Sequence, residues 1–143
     1  MVLAALLLGV SPVIAAQIAN PIAVFSGLDK ITGATITFEI GIGQEKQFGG
    51  LLVKPDICFT REITEEPQTA SFVEVIEVQL DNSRKKIFSG WMFAESPALN
   101  AVEHPVYDVW LVGCRDPNAP PVPVEEAPVP STEPGEAEEP PED

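Results

Sequence analysis

The chain has 143 residues, with 22 Asp or Glu against 8 Lys or Arg, giving a net charge of −14 at pH 7. That length leaves room for one small core and no second domain. An acidic balance of this size repels phosphate backbones and anionic headgroups, which excludes nucleic acid as a partner and excludes membrane binding through a basic patch.

Residues 1–16 open with an apolar stretch, Val2 to Val10, followed by Pro12 and the small residues Ala15-Ala16 before Gln17. Apolar run, break and small residues in that order read as a signal peptide cleaved near Ala15 or Ala16. A membrane anchor would need about 20 apolar residues, and Pro12 and Gln17 cut this one short. The stretch has no basic n-region, the first lysine being Lys30. No cysteine adjoins the cleavage position, so a lipid anchor is not supported. The expected compartment is the periplasm, with no transmembrane span after processing.

From Ile22 onward the apolar residues alternate, as in strands, and do not recur every three or four positions. Ile22, Val24 and Gly27 suggest a first strand. Ala34 to Ile40 sets Ile36, Phe38 and Ile40 against Thr35, Thr37 and Glu39, a strand with one polar face. Leu28 to Gly33 joins the two, with Gly33 free to take the positive φ of a hairpin turn. Gly41 and Gly43 suggest a bulge. Phe48 to Val53 and Ile57 to Arg61 are expected as two short strands turned by Lys54-Pro55-Asp56. After a polar loop, Ser71 to Leu80 and Lys86 to Phe93 form a hairpin around Asp81-Asn82-Ser83. Ser96 to Ala101 could hold one helical turn capped by Ser96, with Pro97 in its first position. Val106 to Val112 is the last strand.

The expected fold is therefore all-β, an antiparallel sandwich or small barrel of about seven strands over residues 20–115. Beyond it, residues 116–143 change character. Nine prolines and nine acids fall between Arg115 and Asp143 with no aromatic residue. Such a segment cannot bury enough apolar surface to order itself, and reads as a disordered tail with polyproline II character. The acids are concentrated there: residues 1–115 carry thirteen acids and all eight bases, so the folding part is only mildly acidic.

The two cysteines, Cys58 and Cys114, are too far apart for a CxxC redox pair, and in an exported chain a lone pair is expected to be bonded.

Reactive groups are densest in Glu103-His104-Pro105-Val106-Tyr107-Asp108-Val109-Trp110. A histidine beside carboxylates is the raw material of general-base or metal chemistry. Along a strand, however, Tyr107 and Asp108 point to opposite faces, and a residue before proline favours extended backbone, so a structural His104 at the mouth of the strand accounts for the pattern. One histidine and two paired cysteines do not make a zinc site, and no cofactor motif is present. A Ser89 or Ser96, His104 and Asp108 triad lacks the nucleophile elbow such chemistry uses. The aromatic residues Trp91, Phe93, Tyr107 and Trp110 are read as core and cross-strand pairs. If Trp91 and Trp110 instead share an exposed face, they make a stacking surface for glycan or peptide, with His104 and Tyr107 as further binding candidates.

Leu28-Asp29-Lys30-Ile31-Thr32-Gly33, Phe48-Gly49, Cys58, Phe72-Val73-Glu74-Val75, Phe88-Ser89-Gly90-Trp91-Met92-Phe93, Pro97-Ala98-Leu99-Asn100, Glu103 to Trp110 and Cys114 together resemble the bacterial domain of unknown function 2155, found in exported proteins of alphaproteobacteria. The resemblance spans about Val24 to Cys114. It implies envelope localisation, agrees with a bond between the cysteines, and supplies no catalytic residue. The functional expectation is a non-catalytic periplasmic or cell-envelope module, binding or structural, whose partner is an envelope protein or glycan. The alternative is a hydrolase using His104 with Glu103 or Asp108.

Overall fold

A computed structural model describes residues 16–61, 66–100, 102 and 104–119. The expected signal peptide, apart from Ala16, and the expected tail beyond Ala119 lie outside the described residues. Within them the chain is all-β, with eight antiparallel strands: β1 (Gln17–Ala19), β2 (Ile22–Asp29), β3 (Thr35–Gly41), β4 (Lys46–Phe48), β5 (Leu51–Arg61), β6 (Thr69–Val78), β7 (Arg84–Phe93) and β8 (Tyr107–Arg115). One sheet has the order β1-β5-β6-β7, with β4 also pairing β5, and the other has the order β3-β2-β8.

The sheets pack face to face as a sandwich, which resolves the choice between sandwich and barrel. Alternation along each strand turns one set of side chains inward. Ala23, Phe25, Phe38, Ile40, Val109 and Leu111 of the smaller sheet meet Leu51, Val53, Cys58, Val73, Val75 and Met92 of the larger. The buried aromatics are thus Phe25, Phe38 and Phe48, with Phe25 fully enclosed, not the C-terminal group expected from the sequence. Cys58 in β5 is bonded to Cys114 in β8, with Cα atoms 5.7 Å apart, so the disulfide ties one sheet to the other.

The β2–β3 hairpin forms as expected, with Gly33 at φ 74° and its N–H donated to Asp29. The β6–β7 hairpin forms as well, with Asn82 at φ 62° and the Asp81 carboxylate accepting the Ser83 N–H. Gly41 and Gly43 do not make a bulge. They flank a turn, Gly43 at φ 79°, closed by the Gln44 N–H on the Gly41 carbonyl. Ser96 to Asn100 makes a turn in which the Leu99 N–H bonds the Ser96 carbonyl at 3.0 Å, and no helix forms among the described residues. The count is one above the expected seven: β1 and β4 add two three-residue pieces, too short to show alternation, while the expected pair over residues 48–61 supplies only one long strand.

That last difference has a specific cause. Lys54-Pro55-Asp56 does not turn the chain; the turn comes earlier, at Gly49-Gly50, and residues 51–61 run as one strand. Pro55 lies opposite Val73, and its carbonyl faces away from β6 to accept the Gly43 N–H at 2.7 Å. The nitrogen of a strand residue points to the same side as its carbonyl, so the missing donor falls in the interval between β1 and β4, not on the β5–β6 ladder. Asp56 is then the extra residue of a bulge between Pro55 and Ile57.

Candidate functional site

The structure separates the residues that the sequence places together. His104 and Tyr107 lie at the start of β8, Trp110 is on the outward face of β8, and Trp91 is on the outward face of β7 in the other sheet. Met92, Val109 and Leu111, their neighbours along the strands, point into the core. Trp91 and Trp110 therefore occupy opposite outer surfaces of the sandwich, so they are not the core pair expected, and the alternative of one shared exposed face does not hold either.

His104 is nearly enclosed, its side chain 9% exposed. Its Nδ1 accepts the Val106 and Tyr107 N–H groups, each at 3.1 Å, and satisfies the donors of the chain as it enters β8. With Nδ1 an acceptor, a neutral ring carries its proton on Nε2, which faces Glu77 Oε1 at 3.5 Å. The nitrogen turned toward that carboxylate is thus a donor in this arrangement, not a base. Asp108 faces elsewhere, paired with Lys30 at 2.7 Å, while the same ammonium donates to the His104 carbonyl at 3.0 Å. Glu103 lies outside the described residues. Among the described residues no three His, Cys, Asp or Glu side chains gather as a metal site.

The His104 ring stacks on Tyr107 at 5.2 Å and ends a series of rings that begins in the core. Phe25 meets Phe38 at 6.1 Å, Phe38 meets Phe48 at 5.6 Å, and Phe48 meets the edge of Tyr107 at 5.6 Å. Two glycines make room for it. A Cβ on Gly27 would stand 2.6 Å from the Phe48 ring, and one on Gly49, held at φ 56°, would collide with Tyr107. An open cleft of about 510 Å³ borders the end of this series, lined by Glu77, Val78, Gln79, Leu80, Asp81, His104 and Tyr107. Hydrogen bonds from Ser83 hold the Asp81 carboxyl below the usual carboxylate range, so it is ionised at the cleft rim.

A second feature lies on the outward face of the larger sheet. Trp91 is 39% exposed, stacked on Phe59 at 6.4 Å and set edge-on to Phe72 at 5.6 Å. Ile57, Phe72 and Trp91 are register partners across β5, β6 and β7 and form a continuous apolar row. Two residues along β6, Glu74 lies between Lys86, to which it is ion-paired, and Lys54 at 3.8 Å; Lys54 also holds Asp56 at 3.1 Å. Lys86 foremost, then Lys54, hold the Glu74 carboxyl below its ordinary range, and Asp56 foremost raises the Lys54 ammonium. An aromatic platform thus adjoins a row of fixed charges. Sequence reading picked out Trp91 but missed Phe59 and Phe72. The signal was available in the alternation of β5 and β6, which puts Phe59 and Phe72 out of phase with the buried Cys58 and Val73.

Fold and bond together define a small two-sheet β-sandwich clasped between its sheets by one disulfide. The chain belongs to the DUF2155 family, described as uncharacterised proteins conserved in bacteria, whose family model matches residues 23–114. It is also similar to the uncharacterised protein RP359 of Rickettsia prowazekii (strain Madrid E), with 28% identity over 87 residues, 61% of this chain and 56% of that protein. The chain thus spans about half the length of this curated relative. No solved structure matches.

Proposed function

We propose that the chain is an exported, non-catalytic module of the cell envelope that binds glycan on the outward face of its larger sheet. The observation that carries this reading is Trp91, exposed between Phe59 and Phe72 and bordered by Lys54, Glu74 and Lys86. Pyranose rings have apolar faces that stack on aromatic side chains and hydroxyls that bond to charged groups, and the platform offers both kinds of contact side by side. The apolar stretch at residues 2–10 supports export. So does the Cys58–Cys114 bond, of a kind that persists in oxidising compartments.

Cosedimentation with purified peptidoglycan sacculi tests the reading. The full chain is expected to pellet with sacculi, and Trp91→Ala to weaken binding by about 2 kcal/mol or more, roughly 30-fold in Kd, as for a central aromatic anchor. Equal pelleting of the two proteins, or no pelleting of either, would remove it.

A further inference from the structure

We propose that the chain pairs with a second copy of itself along the free edge of β3, so that two three-stranded sheets join into one of order β8-β2-β3-β3-β2-β8. The proposal concerns the smaller sheet and is independent of what Trp91 binds.

The edge is open. β3 has a neighbouring strand, β2, on one side only. The Ala34 carbonyl accepts the Asp29 N–H, and the Ile42 N–H is donated to the Pro21 carbonyl, so the even-numbered residues of β3 turn their backbone groups toward β2. Thr35, Thr37 and Glu39 turn theirs outward. Of these groups only the Glu39 carbonyl has a partner among the described residues, the Lys46 ammonium at 3.3 Å. The edges of β7 and β8 carry local bonds instead. The Trp91 carbonyl accepts the Asn100 side chain and the Phe93 carbonyl the Ser96 N–H, while the Tyr107 N–H is donated to His104.

The side chains favour a neighbour. Thr35, Ile36, Thr37, Phe38 and Ile40 are strand-forming residues, and the strand contains neither the proline nor the lysine that blunts an edge. Ile36 is in phase with the buried Phe38 and Ile40, yet it is 51% exposed, because no strand lies beside it.

What fits there is β3 itself. Set antiparallel about a two-fold axis at Thr37, the strand stands Thr37 opposite the partner's Thr37 and Thr35 opposite the partner's Glu39, with N–H facing C=O at each pair. A shift of two residues one way sets Glu39 against the turn at Gly33. The same shift the other way sets Thr35 against Gly41, whose carbonyl already accepts the Gln44 N–H. On the inner face the symmetric register lays Ile36 beside the partner's Phe38 and covers it. On the outer face threonine meets threonine. Glu39, the one charged residue of the strand and paired with Arg115 at 2.7 Å, meets a hydroxyl and no like charge. The pair occupies both β3 edges and so closes as a dimer. Its axis stands perpendicular to the joined sheet, which leaves both larger sheets on the same side with their Trp91 faces turned the same way.

Sedimentation equilibrium and amide exchange of the full chain test this. A contact over residues 35–39 is smaller than the roughly 1,200–2,000 Å² of a stable interface, so a reversible dimer with Kd on the order of 100 µM is expected. By mass action, exchange at Thr35, Thr37 and Glu39 should slow about threefold or more between about 20 µM and about 1 mM protein, while Ile36 and Phe38, bonded to β2, keep their rates. Thr37→Pro removes the N–H at the axis, where the donor faces outward and β2 does not need it. Ile36→Lys places a charge in the inner face of the contact. Both variants are expected to keep the circular dichroism of the parent and to sediment as monomers; should Thr37→Pro unfold, Ile36→Lys decides alone. A parent that stays monomeric at about 1 mM, ten times the expected Kd, overturns the proposal. So does a dimer that survives in the folded variants. Protection of the same amides in a monomeric parent on adding envelope extract also overturns it, and would assign the edge to a strand of another protein. Sacculus binding by Trp91→Ala bears on the glycan reading alone, and the oligomeric state of the Ile36→Lys variant on this one alone.

Discussion

The ring of Tyr107 lies directly on the backbone of Gly49, a residue at φ 56° where no side chain could stand. Both features forbid a Cβ at this position, since left-handed backbone disfavours other residues and the aromatic ring occupies the space. Gly49→Ala is therefore expected to cost about 2 kcal/mol or more. In a domain of this size that lowers the melting temperature by about 10 °C. Gly50→Ala is the control, because a Cβ there meets Tyr107 at an ordinary 3.6 Å, and it should melt close to the parent. Thermal unfolding of the two variants checks both halves of the expectation.

His104 is predicted to act as a cap for the entrance to β8. Removing its Nδ1 in His104→Ala leaves the Val106 and Tyr107 N–H groups without their acceptor, at a cost of about 1–3 kcal/mol. Asparagine can return an oxygen to much the same place, as Asn side chains do in bonding backbone N–H groups two residues on. Amide exchange at Val106 and Tyr107 should accelerate in His104→Ala and recover in large part in His104→Asn. Equal exchange in all three proteins would show that the ring is not what holds this turn.

The Cys58–Cys114 bond closes a loop of 56 residues, and chain-entropy estimates for such a loop give about 4 kcal/mol. Reduction should lower the denaturant midpoint sharply, and Cys58→Ser should resemble the reduced protein and become insensitive to reductant. A midpoint unmoved by reductant in the parent would contradict this.

Glu74 gives a pH signature. Its carboxyl is held below the ordinary carboxylate range by Lys86 first and Lys54 next. A depressed folded-state pKa contributes stability above the unfolded value, and loses it as pH falls through the folded one. The effect is small because the groups are exposed and screened. Glu74→Gln should unfold slightly below the parent at pH 7, and the two midpoints should converge once the pH is well below the ordinary carboxylate range. A gap that widens on acidification would assign Glu74 the opposite sign.

Much of this architecture was legible in the sequence because strand alternation and turn chemistry are local. The hairpin at Asp81-Asn82-Ser83, Gly33 at its turn and the outward threonines of β3 all follow from neighbouring residues. What was not legible depended on partners far along the chain. Pro55 reads as a turn residue until the carbonyl it offers Gly43, and the ladder to β6 that it leaves intact, are known. Trp91 and Trp110 have the same local pattern, yet the sheet to which each strand belongs sends them to opposite surfaces. Within the candidate site, Tyr107 and His104 were marked by composition. Their stacking, and the glycines that admit Phe48 and Tyr107, arise only when β2, β4 and β8 converge.

Pro55 also has a consequence for how copies of this protein meet. An uninterrupted outer strand offers a row of free N–H and C=O groups on which another sheet can grow. Beyond β5 this sheet offers no such row: β1 and β4 cover three residues each, and between them stands a residue with no donor and a bulge. At the opposite margin β7 begins with Arg84-Lys85-Lys86, whose charge discourages the approach of a second β7. The larger sheet is therefore guarded on both margins against lateral growth, which suits a chain that must fold, and form its disulfide, among other unfolded polypeptides.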